Sequence, residues 1–215
     1  MSCETKLIIF DWDGTLSDSL SRIVECLQVS AQEVGLTPPS HSEGREVIGL
    51  GLTEALATLF PDLAGDAIAA LRQCYSRNYV RLDRLPASFY PGVRNTLDVL
   101  KERGFRLAMA TGKSRRGFDR VVEAHGLTGY FDASRCADET ASKPDPRMLL
   151  ELLGMFDCPP EAALMIGDTE FDMAMAATAG VSRVGVDYGA HHPDRLRRYD
   201  LVACLARFPE LLKLI

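Results

Sequence analysis

Two aspartates, Asp11 and Asp13, stand two positions apart at the end of the apolar run Leu7-Ile-Ile-Phe10. Carboxylates about 4 Å apart repel by about 4 kcal/mol at an effective dielectric of about 20, so such a pair needs compensation. Residues two apart at a strand end project to the same side, which lets both acids share a site while Trp12 points away. A second acidic pair, Asp168 and Asp172, lies four apart across the start of a helical pattern, near enough to approach the same centre. The simplest compensation for four converging carboxylates is a hard divalent cation with oxygen ligands, Mg²⁺. Such an ion keeps waters and completes its shell with a substrate phosphate. A carboxylate can then attack phosphorus to give an aspartyl-phosphate, which splits one difficult displacement into two easier ones. Asp11 is the natural nucleophile, and Asp13 can give a proton to the leaving oxygen and later take one from water. The Thr111 hydroxyl and Gly112 backbone N–H can hold phosphoryl oxygens, with Lys143 balancing their charge.

These groups must be positioned by strand ends. Lys6–Phe10, Arg106–Ala110, Ala162–Ile166 and Val181–Val186 are short apolar runs ended by turns, each next to a helical pattern. Strand alternating with helix predicts an α/β fold, a Rossmann-like parallel sheet with helices on both faces and its ligand beyond the carboxyl ends of the strands. Lys143 falls in the proline-stiffened loop Ala-Ser-Lys-Pro-Asp-Pro146. From about Ser19 to Arg84 the rhythm breaks. Ile23, Val24, Leu27 and Ala31 within Ser21–Val34, and Ile68, Leu71, Tyr75 and Tyr79 within Ala64–Leu82, have helical spacing. The expected organisation is an α/β core over residues 1–16 and 87–215, with an all-helical insertion over 17–86. Its borders are Leu16-Ser-Asp-Ser19 and the Leu85–Gly92 stretch, whose prolines and glycine suit a hinge.

Composition narrows the partners. The 215 residues are 47% hydrophobic and carry a net charge of -6, with basic residues scattered apart from short clusters, which disfavours nucleic acid. The apolar start is too short for a signal or a membrane span, and a cytoplasmic location is expected. The six cysteines, Cys3, Cys26, Cys74, Cys136, Cys158 and Cys204, lack Cys-x-x-Cys spacing, so reduced and mostly buried thiols are expected. His191 and His192 read as a solvated loop pair, with ligand contact as the alternative. Met148, Met155, Met165, Met173 and Met175 read as core residues. A monomer and a homodimer are both compatible with the sequence.

The chain as a whole resembles the haloacid dehalogenase superfamily of phosphohydrolases, in the branch with a helical cap inserted after the first motif, similar to phosphoglycolate phosphatases. "DWDGTLSDS" resembles the family's first motif, "MATGKS" the second, "SKPDP" the lysine motif and "IGDTEFD" the acidic fourth motif, all in order. The resemblance implies Asp11 as nucleophile and Asp13 as acid/base. It also implies Mg²⁺ held by Asp11, the Asp13 backbone carbonyl and Asp168, with Asp172 supporting the metal directly or through water. Many relatives carry Ser/Thr-Asn at the second motif where this chain has Thr111-Gly112-Lys113, so the usual asparagine contact is absent and Lys113 becomes a candidate substrate cation. Arg45 and Gly49-Leu-Gly51-Leu52 resemble the substrate loop of capped relatives. The expectation for Arg45 is a substrate anion met on closure of the lobe, with a surface salt bridge as the alternative.

Each residue also has a plainer reading. Asp-x-Asp alone can be a turn, Thr111-Gly112 a strand-to-helix turn, Lys143 a solvated lysine and Asp172 a first-turn helix acid. A P-loop fails because Leu107 stands where its first glycine belongs. The expected activity is Mg²⁺-dependent hydrolysis of a small phosphomonoester, phosphoglycolate-like by resemblance. The alternatives are a hexose-phosphate mutase or a pyrophosphatase of the same fold. Outside enzymes, a phosphoaspartate signalling switch needs neither an inserted lobe nor Asp13, and a silent binding protein predicts damaged motifs.

Overall fold

The computed structural model describes residues 5–63, 65–82 and 86–215. Expectations that touch Cys3, Ala64, Arg84 and Leu85 lie outside these residues. In chain order the elements are β1 (Leu7–Phe10), α1 (Leu20–Glu33), α2 (His41–Glu46), α3 (Leu52–Leu59), α4 (Asp66–Leu82), α5 (Val93–Glu102), β2 (Arg106–Thr111) and α6 (Arg115–Ala124). They continue with β3 (Ala133–Cys136), α7 (Arg147–Met155), β4 (Ala163–Gly167), α8 (Glu170–Thr178), β5 (Ser182–Val186), α9 (Pro193–Leu196) and β6 (Ala203–Leu205).

Among the described residues the strands form one parallel sheet in the order β3-β2-β1-β4-β5-β6, so the α/β expectation holds. The strand β1 is central, in register with β2 (Ile8 opposite Leu107) and β4 (Ile8 opposite Leu164). A central parallel strand is buried on both faces, which explains why Leu7-Ile-Ile-Phe10 is apolar throughout. Alternation sends Ile8 and Phe10 to one face, where Leu97, Leu100, Phe118 and Phe208 cover them. Leu7 and Ile9 face the other way, onto Met148, Leu152, Met175 and Ala176. Met155 is the exception to the methionine expectation: it ends α7 on the surface, 55% exposed. The edge strands β3 and β6 have no counterpart among the predicted runs. Each is short and half-buried, so neither carries a continuous apolar signal.

The helices α1 to α4 enclose a separate apolar cluster built on Leu27, Val47, Ala55, Leu56 and Leu71. The two chain segments joining this helical lobe to the sheet run side by side. Ser17 bridges Phe89 in antiparallel fashion, Asp18 N–H donates to Ser88 O, and Tyr90 N–H donates to Leu16 O. Their pairing satisfies backbone groups that would otherwise need water, and it fixes where the lobe begins.

Candidate active site

The carboxyl ends of β1, β2 and β4 meet beneath the helical lobe. Asp11 follows β1, and its backbone N–H donates to Ile166 O across the sheet at 3.0 Å. Its side chain is buried, as are those of Asp168 and Asp172, and these three can each present a ligand atom within 4.8 Å of the others. Lys143 reaches them from the loop before α7. Its Nζ lies 2.6 Å from Asp11 Oδ1 and 2.7 Å from Asp172 Oδ1, with no side-chain exposure. The solvated reading of Lys143 is thereby excluded.

Asp172 fulfils two of its readings at once. One oxygen, Oδ2, accepts from the Thr169 N–H at 3.1 Å and the Thr169 hydroxyl at 2.7 Å, closing a capping box at the start of α8. The other oxygen faces Lys143, so the helix cap orients the carboxylate that orients the lysine. Asp168 is held as firmly: Oδ1 accepts from the Thr15 hydroxyl at 2.9 Å and Oδ2 from the Ala190 N–H at 2.7 Å. Its crowding explains Gly14, which adopts φ +83° and on which a Cβ would lie 2.1 Å from Asp168 Oδ2.

Burial is the largest influence on the acids. It pushes the Asp11 carboxyl up to about 7; Asp172 and Asp13 add to the rise, and Lys143 opposes it. Asp168 is raised well above the ordinary carboxylate range by burial and by its neighbours Asp11 and Asp172, against the hydrogen bonds from Ala190 and Thr15. Burial works to lower Lys143, but Asp11 and Asp172 outweigh it and hold the ammonium charged. The Lys143 ammonium thus pairs with two of the three buried carboxylates, and Asp11 Oδ2 is buried without a hydrogen-bond partner. An unpaired buried carboxylate oxygen and an all-oxygen donor set are what a hard dication relieves, so the residues fit Mg²⁺.

Asp13 sits at the rim. Its Oδ1 accepts from the Ser19 hydroxyl at 2.6 Å, and its Oδ2 is 2.9 Å from Lys113 Nζ. Lys113 also reaches Tyr79 of the lobe, 3.3 Å from its hydroxyl. Thr111 is buried at the end of β2, with its Oγ1 accepting from the Lys113 N–H. Gly112 touches the lobe itself: a Cβ there would lie 2.5 Å from Leu50 O and 2.7 Å from Gly49 O. The backbone of the Gly49–Leu52 loop therefore occupies the space that a larger residue would need at 112.

Arg45 is where the expectation fails. Its Nη2 donates to Gly189 O at 2.5 Å and Ala190 O at 3.3 Å, and it lines no part of the cavity beside Asp11. Neither a substrate contact nor a surface salt bridge describes it; it ties the lobe to the loop that holds Asp168. The reading of His191 is corrected as well, since it is buried, accepting from the Glu170 N–H at Nδ1 with Nε2 3.3 Å from Glu46 O. His192 stays exposed. The supporting hydroxyls of Thr15, Ser19 and Thr169 were not anticipated individually. Thr15 and Ser19 lie inside the first quoted motif and Thr169 inside the fourth, but their roles depend on a partner up to 153 positions away.

Comparison with known proteins places residues 8–186 under the description "Haloacid dehalogenase-like hydrolase". The "Probable phosphatase IndB" of Dickeya dadantii is 34% identical over 211 residues, covering 96% of this chain and 91% of that protein. A phosphoglycolate phosphatase of Vibrio cholerae is 32% identical over 195 residues, covering 87% and 86%. Among solved structures, one described as a "predicted phosphoglycolate phosphatase" from Haemophilus somnus superposes with a TM-score of 0.87 at 26% identity, covering 98% of this chain and 97% of that one.

Proposed function

Because the chain belongs to the haloacid dehalogenase-like hydrolase family, we propose that it is a phosphatase, hydrolysing a phosphomonoester through an aspartyl-phosphate on Asp11. The observation that carries this reading is the buried Lys143 ammonium spanning Asp11 and Asp172, beside an Asp11 oxygen with no partner. The names of the relatives support a phosphatase, and phosphoglycolate is the substrate two of them suggest.

Asp11, the Asp13 backbone carbonyl and Asp168 would hold Mg²⁺, with Asp172 supporting them directly or through water. When bound, the ion lowers repulsion between the carboxylates and the incoming phosphate and polarises the phosphoryl oxygens. Lys143 fixes Asp11 for attack on phosphorus, and the Thr111 hydroxyl and Gly112 N–H hold equatorial oxygens. Asp13 protonates the departing alcohol; in the second step it takes a proton from the water that cleaves the acyl phosphate. Ser19 and Lys113 hold Asp13 at the rim, where the leaving oxygen departs. The lobe excludes bulk water while the mixed anhydride exists.

Incubating the protein with Mg²⁺ and a panel of phosphomonoesters, a hexose phosphate and pyrophosphate tests the reading. Inorganic phosphate released from a monoester, and abolished by Asp11→Asn, is expected. Isomerised sugar phosphate without phosphate release would make the protein a mutase, and turnover confined to pyrophosphate would overturn the monoester assignment.

A further inference from the structure

The reacting groups occupy one end of a larger chamber. A cavity of about 730 Å³ begins at Asp11, Asp13 and Gly112 and extends under the helical lobe. A two-carbon phosphorylated acid is far smaller than the drug-sized ligands that cavities of roughly 300–1,000 Å³ enclose. Most of this space is therefore left over once the phosphate and two carbons are seated.

The remainder has a defined chemistry. Its walls include Ile23, Leu27, Val47, Leu52, Ala55 and Val80. Ile23 and Leu27 belong to the lobe's apolar cluster, yet both also face this space. Val80 is 55% exposed, an apolar side chain turned toward the cavity from the last turns of α4. Tyr75 lines the same wall, with its ring 5.9 Å from that of Tyr79. Burial raises the Tyr75 phenol well above its ordinary range, so it presents a neutral ring. The cations Arg77 and Arg116 lie where the cavity reaches the surface, both exposed, and neither forms an ion pair among the described residues. A small hydroxy acid can offer its carboxylate to those arginines but nothing to the apolar walls, because its groups besides the phosphate are polar and hydrated. An apolar ring system gains from burial there, by about 25 cal/mol for each Å² removed from water.

We propose that the leaving alcohol of the true substrate carries an apolar, ring-bearing body seated against Tyr75, Leu27, Ala55 and Val80, and that the enzyme prefers such esters to phosphoglycolate. This inference rests on the phosphatase reading of the same site. It assigns selectivity to α1, α3 and α4 in place of Arg45.

The test compares 2-(1-naphthyl)ethyl phosphate with phosphoglycolate in the presence of Mg²⁺; both are alkyl esters, so the aromatic ring is not conjugated to the leaving oxygen. The naphthyl ester is expected to have a kcat/KM at least tenfold higher. Val80→Asp, at an exposed position that does not threaten folding, and Ala55→Phe, which fills the chamber, should each lower the naphthyl-to-glycolate ratio of kcat/KM at least tenfold. A preference for phosphoglycolate, or a ratio that neither variant moves, would overturn the inference. Should no monoester release phosphate, the phosphatase reading fails separately, and calorimetric titration with 2-(1-naphthyl)ethylphosphonate then reads the chamber directly. Binding weakened at least tenfold in Val80→Asp supports the assignment of the walls, and absence of binding to the parent protein refutes it.

Discussion

Replacing Lys143 by Met keeps much of the volume and removes the only ammonium, among the described residues, within bonding distance of Asp11 and Asp172. At 2.6 and 2.7 Å the two attractions are each worth about 6 kcal/mol at an effective dielectric of about 20. Much of that sum is offset, because the lysine no longer has to be desolvated and the carboxyls can take up protons. The net loss expected on breaking a buried pair is about 3–5 kcal/mol. For a chain of this length that lowers Tm by roughly 10 °C. The dependence on pH is the sharper signature. Asp11, pushed up to about 7 when folded, has an unfolded value of about 3.9. The folded state therefore binds the extra proton, and metal-free stability falls as pH rises from about 4 through 7. Lys143 is raised too, so it stays charged throughout pH 5 to 8 and its own titration adds no pH dependence there. Without it the acids rise further, and the gap between parent and Lys143→Met should be wider at pH 8 than at pH 5. Urea unfolding of both proteins in chelator at the two pH values measures this. An equal gap at both, or a loss below about 1 kcal/mol, would refute the charge-balance argument.

Saturating Mg²⁺ should stabilise the parent by about 2.7 kcal/mol at a hundredfold excess over Kd, more at pH 8 than at pH 5 because the ligands must shed protons; thermal unfolding with and without the ion checks it, and no shift at either pH contradicts it. In Gly112→Ala the new Cβ meets the Leu50 and Gly49 carbonyls, so the lobe loop must withdraw. Faster amide exchange over residues 47–52 and a kcat/KM down at least tenfold are expected, and unaltered exchange would show that the loop does not rest on Gly112. Arg45→Ala removes charged hydrogen bonds to Gly189 and Ala190, each worth about 1.5–3 kcal/mol. It should speed exchange near residue 190 and leave the ratio between the naphthyl and glycolate esters unmoved; a changed ratio would return Arg45 to the substrate.

The positions of the reacting groups were legible because parallel strands bury both faces and stop abruptly. Apolar runs at Leu7–Phe10 and Ala162–Ile166 identified the strand ends, and the acids after them were the ones brought together. The edge strands β3 and β6 escaped because half-buried backbone needs no apolar run. Arg45 was misjudged for a different reason. A helix-borne arginine near a glycine loop looks the same in sequence whether it meets an anion or two backbone carbonyls, and only the packing of the lobe on residues 189–190 decides. His191 was lost in the same way, since burial of a loop histidine depends on what folds over it. The chamber was hidden because Ile23 and Leu27 follow one helical stripe whether that stripe faces protein or a ligand.

The covalent step can be observed directly. After rapid mixing with Mg²⁺ and an ester labelled with ³²P on phosphorus, acid quench within the first turnover should leave label on the protein. That label should be labile to hydroxylamine, confined to the peptide containing Asp11 and absent from Asp11→Asn. Phosphate released at the same rate with no label on the protein, or with label on another residue, would contradict Asp11 as the group that takes the phosphoryl.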